Sequence, residues 1–214
     1  MKKLYFVRHA ESEGNISAVQ QGPDTPLSEQ GFEQAMRIAE RFRDIGIDRV
    51  ISSPQTRAKY TAEAISSVIK IEKDIEYSEL LIERKRPSVV IGMNRNSSEF
   101  AAIEDLIRDN FHTLEWKHSD EENFLDLKAR AAKLLEYSES LEEENILMVS
   151  HGVFITMVTA YSIFGEALTS QEYWTLFAGT EHSNTGITVI KQSKFKNDPI
   201  RWKLLTWNDH AHLG

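Results

Sequence analysis

The chain has 214 residues and a net charge of −8, from 25 basic and 33 acidic side chains with histidine neutral. That balance argues against a general nucleic-acid binder, which needs a basic face. The lack of cysteine excludes disulfides, thiolate metal sites and a cysteine nucleophile. At 41% apolar and 27% charged residues the composition is that of a folded protein, and its length suffices to bury roughly 70% of the unfolded surface. No apolar run reaches the roughly 20 residues of a membrane span, and residues 1–8 lack the apolar stretch of a leader. A soluble cytoplasmic protein with no membrane or nucleic-acid partner is expected.

Leu4-Tyr5-Phe6-Val7 reads as a buried strand. Residues 28–45 carry Ala35, Ile38, Ala39, Phe42 and Ile45 at spacings of three and four, a helical stripe with Ser28 as its N-cap. Arg49-Val50-Ile51-Ser52 is a second strand. Ser53 then caps a helix with Pro54 at its first position. Residues 76–83 read as a third strand ending in Leu80-Leu81-Ile82.

Two helices follow, over 97–111 and 121–141, the second with capping-box spacing in Ser119-Asp120-Glu121-Glu122. The run Glu142-Glu143-Glu144 reads as a solvated turn. Ile146-Leu147-Met148-Val149 is the clearest buried strand, with a helix expected after His151-Gly152. Residues 185–192 and 202–207 are late strands at an edge. The five prolines mark turns rather than a linker, and no repeat is present. Strands alternating with helices predict a layered α/β fold in one domain, residues 1–214, with residues 85–120 inserted over one end of the sheet.

Three predicted strand ends carry the chemistry: Arg8-His9-Ala10-Glu11-Ser12 with Asn15, Ser52-Ser53-Pro54 with Arg57, and Ser150-His151-Gly152. Sites in open α/β sheets form beyond the carboxyl ends of parallel strands. Two histidines and two arginines gathered there make an anion site served by imidazole chemistry. No glycine-rich dinucleotide fingerprint follows the first strand.

These residues resemble the motifs of the histidine phosphatase superfamily, which includes the cofactor-dependent phosphoglycerate mutases. The resemblance rests on five blocks in order: Arg8-His9-Ala10-Glu11-Ser12 with Asn15; Gln21-Gly22 through Ser28, Gly31 and Gln34-Ala35; Ser52-Ser53-Pro54 with Arg57-Ala58 and Thr61-Ala62; Leu80-Leu81-Ile82-Glu83; and Ser150-His151-Gly152. Together they span residues 4 to about 190 and leave 85–120 uncovered. The resemblance implies a three-layer α/β/α fold with a mostly parallel central sheet flanked by helices.

It also implies roles. His9 is the nucleophile, neutral at the attacking nitrogen, with its other nitrogen donating to a backbone carbonyl. Arg8 and Arg57 hold phosphoryl oxygens, which their planar forks fit. His151 stabilises developing charge. Asn15, Gln21, Gly22 and the Gly152 N–H help bind phosphate. Glu83 protonates the leaving alcohol and then activates water, with Glu79 as the competing carboxylate. Glu11 is expected to brace an arginine.

Metal and cofactor are not needed, because guanidinium groups supply the positive charge. A small phosphorylated metabolite is the expected partner. Ala10 stands where the family commonly has glycine, and Gly14 where many mutases have an aromatic residue. Arg84-Lys85-Arg86-Pro87-Ser88 replaces the tyrosine- and histidine-bearing stretch that mutases use. These departures favour phosphatase activity over cofactor-dependent phosphoglycerate mutase; a non-catalytic phosphate-binding module is the third reading. Lys85, Arg86 and Arg95 are candidates to attract a second anionic group of the substrate. His112 and His118 have no metal spacing with a carboxylate, and His210-Ala211-His212, ligand-like in its spacing, reads as a solvated tail. His182-Ser183-Asn184-Thr185 is a further segment expected near substrate, and Tyr173, Trp174 and Phe177 are expected to pack in the core.

Overall fold

The computed structural model describes residues 1–69, 71, 73–194 and 201–214. In chain order the elements are β1 (Lys3–Arg8), α1 (Glu13–Ile16), α2 (Glu29–Phe42), β2 (Arg49–Ser52), α3 (Thr56–Val68), β3 (Glu76–Tyr77), α4 (Ser98–Asp109), α5 (Phe124–Ser140), β4 (Asn145–Ser150), α6 (Gly152–Phe164), α7 (Ser170–Ala178), β5 (Ile187–Ser193) and β6 (Arg201–Asp209). The strands form one sheet in the order β3-β2-β4-β1-β5-β6. The first four in that order run parallel, and β5 is antiparallel to both its neighbours.

Successive strand side chains point to opposite faces, and both faces are apolar. Leu4, Phe6, Ile146 and Met148 join Leu127, Leu134, Phe154 and Val158 of α5 and α6 in one core. Val7, Leu147 and Val149 join Ile38, Phe42, Ala58 and Ile65 of α2 and α3 in the other. Each such large side chain, fully buried, contributes about 1.5–3 kcal/mol before conformational entropy is counted. Two cores on one sheet make the three-layer α/β/α sandwich. Tyr173 is buried in the first core, with Trp174 and Phe177 packed on it.

Ser28 caps α2 through its hydroxyl, which accepts from the Gly31 N–H at 3.0 Å. The helix ends at Phe42, before Ile45. Helix α3 starts two residues later than expected, with Gln55 rather than Ser53 at its N-cap. Helix α5 begins at Phe124, because Asn123 and Asp126 form the capping box. The carboxylates of Glu121 and Glu122, within the earlier candidate cap, are committed elsewhere: Glu121 accepts from the backbone of His118 and Ser119, and Glu122 holds Arg130.

The expected strand over 76–83 is only two residues long. A 3₁₀ turn over Glu79–Leu81 follows it, and then irregular chain carries Glu83. Glu143 is not a fully solvated residue: it bonds Arg49 at 3.1 Å and also Lys73, and these partners, Lys73 foremost, pull its carboxyl down to about 2. His212 is likewise no free tail. Its Nε2 lies 2.8 Å from Thr185 Oγ1, and burial pushes its imidazole down to about 4. Pro199 lies outside the described residues.

Candidate active site

Strands β2, β4 and β1 lie side by side, so their carboxyl ends bring three motifs together. Backbone bonds tie those ends directly: His9 N–H donates to Ser150 O at 2.9 Å, and Ser53 N–H donates to Val149 O at 2.9 Å. Arg8 and His9 leave the end of β1, Ser53 follows β2, and His151 follows β4 as the N-cap of α6. Arg57 is in the first turn of α3, which Thr61 fastens to the first motif by accepting from the Ala10 N–H at 3.0 Å.

His9 is buried, and both its nitrogens are engaged. Nδ1 lies 2.7 Å from Ala10 O, which fixes the proton on Nδ1. Nε2 accepts from Arg57 Nε–H at 3.2 Å. Burial and the charges of Arg57 and Arg8 push the imidazole well below its usual 6.5, so it is neutral with its lone pair on Nε2.

The His151 ring lies 5.0 Å from that of His9, centroid to centroid. Ser53 Oγ accepts from the Gln55 N–H at 3.2 Å and lies 2.9 Å from His151 Nε2. The tautomer in which the Ser53 hydroxyl donates to Nε2 leaves the His151 proton on Nδ1. Burial, then the charges of Arg57 and Arg8, push His151 well below 6.5 as well. Its Nδ1 is buried and has no partner among the described residues.

Arg8 donates from Nη1 to His182 O, while its Nε is buried without a partner. That Nε lies 3.6 Å from the position a Cβ on Gly152 would take, at the opening of α6. Arg57 donates from Nη1 to Gly22 O at 3.0 Å and from Nη2 to Gln55 Oε1 at 2.6 Å. Burial holds Arg57 down to about 10, and the nearby Glu83 carboxylate opposes that fall.

Glu83 sits at the N-terminus of α6, where its carboxylate accepts from the N–H groups of Arg84 (2.8 Å), Phe154 (3.2 Å) and Val153 (3.4 Å). Its charge favours the ionised forms of both Arg8 and Arg57. Glu79 is exposed and lines the same cleft farther along. This cleft, of about 910 Å³, runs from Arg57, Gln21 and Gly22 past Glu83 to residues of 85–120, among them Arg86, Ile91 and Phe100.

The remaining candidates divide. Gln21 and Gly22 are in the cleft, but Gly22 meets Arg57 through its carbonyl, and Gln21 Oε1 accepts from Ser12 Oγ at 2.8 Å. Asn15 Oδ1 accepts from the Ser12 N–H (3.0 Å) and from Asn184 Nδ2 (3.2 Å), so its NH₂ group is the end left to donate. Asn184 also donates to His9 O at 2.9 Å. Glu11 braces no arginine: its Oε1 accepts from Ser28 Oγ at 2.6 Å.

The three cations expected to attract a second anion are already engaged. Lys85 pairs with Asp120 at 3.3 Å, Arg86 pairs with Glu104, and Arg95 donates to the carbonyls of Gly14 (3.0 Å) and Ser17. Sequence reasoning did not single out Arg130 and Glu122, which grip the Glu83 segment. Arg130 has the look of an ordinary helix arginine; its burial, with 9% of its surface exposed, is the sign that separates it.

Residues 4–210 match the model of the histidine phosphatase superfamily, branch 1. A relative in Hydrogenobacter thermophilus, named "Putative phosphoserine phosphatase 2", is 32% identical over 160 residues, covering 71% of this chain and 74% of that one. "Probable phosphoglycerate mutase GpmB" of Salmonella arizonae is 45% identical over 67 residues, 31% of each chain. Among solved structures, Bacillus stearothermophilus YhfR shares the fold, with a TM-score of 0.81 and 24% identity over 100% of both chains. By motif, fold and sequence, the chain belongs to the histidine phosphatase superfamily, as a phosphatase acting on phosphomonoesters.

Proposed function

We propose that the chain hydrolyses small phosphorylated metabolites through a phosphohistidine intermediate on His9. One observation carries this reading: close to His9, whose Nε2 holds the lone pair, Arg8 Nε and His151 Nδ1 are buried with no partner among the described residues. A buried unsatisfied donor costs on the order of 1–3 kcal/mol, and more when charged. A phosphoryl group supplies the missing acceptors, and the cost is then recovered in binding it.

In the first step His9 Nε2 attacks phosphorus while the P–O bond to the alcohol breaks. Arg57 transfers its Nε–H from the imidazole to a phosphoryl oxygen, and Arg8 and His151 donate to the others. The incoming phosphate dianion favours a proton on the Glu83 carboxyl, taken up as substrate binds, and Glu83 gives that proton to the departing oxygen. In the second step Glu83 takes a proton from water, the oxygen attacks phosphorus, and the P–N bond breaks to return the lone pair to His9. Phosphoryl transfer relies mostly on positioning and charge stabilisation, and proton transfer adds about 10²–10⁴ in rate.

The same reading places the chain in the cytoplasm as one domain, with residues 85–120 forming the far wall of the cleft. Among the described residues no helix is long and apolar enough to cross a membrane. Phosphoglycerate mutase is the second reading, favoured by the short GpmB match. Against it, Lys85, Arg86 and Arg95, the candidates for a second anionic group, are engaged with protein groups.

The test is a panel of phosphorylated metabolites assayed for phosphate release, with 3-phosphoglycerate also assayed for conversion to 2-phosphoglycerate, using wild type and His9→Ala. Phosphate release by wild type alone supports the proposal. Isomer interconversion without release replaces it with the mutase reading.

A further inference from the structure

The stretch that carries Glu83 belongs to no helix or strand beyond Leu81, yet its carbonyls are bound. Arg130, on α5, donates from Nη1 to Leu80 O (3.2 Å) and Ile82 O (2.7 Å), and from Nη2 to Glu83 O (3.4 Å). Ser150 Oγ donates to Leu81 O at 2.7 Å. Four successive carbonyls, at positions 80 to 83, are thus held by two side chains.

Glu122 grips Arg130 from the other side at two points: Arg130 Nε to Oε1 at 2.8 Å and Nη2 to Oε2 at 2.7 Å. This fork-to-fork pairing fixes the plane of the guanidinium as well as its distance. Glu122 also accepts from the Lys85 N–H at 2.8 Å, donates its own N–H to Lys85 O at 3.0 Å, and accepts from Arg84 Nε at 3.1 Å through its carbonyl. The guanidinium lies 3.9 Å from the centre of the Phe154 ring. The N–H of that same Phe154 donates to Glu83 Oε1. Arg130 therefore reaches Glu83 by two routes, through its carbonyl and through the residue that holds its carboxylate.

A buried ion pair is weak evidence for a stability role, because desolvation offsets the attraction. A general acid, in contrast, must come within roughly 2.6–3.2 Å of the atom it protonates. Irregular chain holds no such tolerance unaided. We propose that Arg130, clamped by Glu122, is a positioning residue that sets the Glu83 carboxyl at the leaving-group oxygen. This rests on the reading of Glu83 as the acid.

The experiment compares kcat/KM for two phosphomonoesters, glycerol 2-phosphate and 4-nitrophenyl phosphate, in wild type, Glu83→Gln, Arg130→Met, Arg130→Lys and Glu122→Gln. The alkoxide needs a proton as its P–O bond breaks, whereas 4-nitrophenolate departs without one. Glu83→Gln is expected to lower the alkyl rate by about 10²–10⁴ and the aryl rate far less. The Arg130 and Glu122 variants are expected to reproduce that split, losing about tenfold more on the alkyl ester than on the aryl ester. Melting curves check folding; should Arg130→Met not fold, Arg130→Lys and Glu122→Gln carry the comparison. Equal losses on both esters in these variants, beside a split in Glu83→Gln, overturn the positioning role and leave Glu83 as the acid. No split in Glu83→Gln overturns both.

Discussion

Arg57 donates its Nε–H to the Nε2 of His9 across 3.2 Å, so the lone pair of the proposed nucleophile is held by the guanidinium proposed to bind the phosphoryl group. The resting site is thereby poised rather than open. The imidazole is aimed from one end by Ala10 O and from the other by Arg57, and its proton stays on Nδ1. In the proposed reaction substrate exchanges one acceptor for another on the same donor.

Arg57→Lys is expected to behave almost as poorly as Arg57→Ala. Lysine supplies the charge but cannot serve His9, Gly22 O and Gln55 together from one planar fork. Loss of one preorganised donor to developing charge typically costs about 10²–10³ in kcat. Steady-state kinetics on both variants checks this; a lysine variant within a few-fold of wild type contradicts it.

Stability is expected to fall as the medium turns acid. Burial foremost, then nearby positive charge, keeps His9 and His151 well below 6.5 in the folded chain. Unfolded, both return to about 6.5. Below that pH the unfolded state binds two protons that the folded state refuses, so stability drops as pH falls through about 6.5 and is unaffected by these groups above it. Each such proton is worth about 1.4 kcal/mol per pH unit once fully bound in the unfolded chain. His182 and His212, also shifted down by burial, act with the same sign. Melting temperatures at pH 7.5, 6.5 and 5.5 test this, with His151→Gln expected to show a shallower decline. A flat profile contradicts buried neutral imidazoles.

Gly14→Ala is expected to disturb the cleft wall. A Cβ there would lie 2.4 Å from Gln21 Cβ, too close for either side chain to stay. Overpacking of this kind costs about 1–3 kcal/mol, and displacement of Gln21 should raise KM. Gly46→Ala is the control, because nothing lies within 4 Å of its added methyl. Melting temperature and KM for both variants are the measurements; identical behaviour contradicts the packing argument.

How much of this was legible in the sequence depended on which bonds held each segment. Arg8 and His9 follow the apolar run of β1 and His151 that of β4, and both runs form strands paired in parallel. Ser28 announced α2 because its hydroxyl satisfies a backbone N–H three residues on, a local event. The Glu83 segment misled because Leu80-Leu81-Ile82 has the apolar content of a strand while its carbonyls go to Arg130 and Ser150, 47 to 69 positions away. Periodicity reports on ladders and helical faces and is silent about side chains that replace them. For the same reason Lys85, Arg86 and Arg95 looked like free cations: their partners Asp120, Glu104 and the carbonyls of Gly14 and Ser17 are brought in by the fold.

Activity is expected to survive a strong chelator and to be inhibited by vanadate. Two guanidinium groups and the opening of α6 offer the positive charge that a metal would otherwise give, and vanadate takes up the five-coordinate shape of the phosphoryl group in transfer. Assays in chelator and in a vanadate series decide it; a strict requirement for added magnesium contradicts it.

The most direct measurement is to mix the enzyme with substrate labelled in its phosphoryl group, quench in alkali, where phosphohistidine survives, and locate the label. Label on His9 in wild type, with none on the chain and no turnover in His9→Ala, is the expected result. Turnover without label at residue 9, or an alanine variant that still releases phosphate, contradicts it.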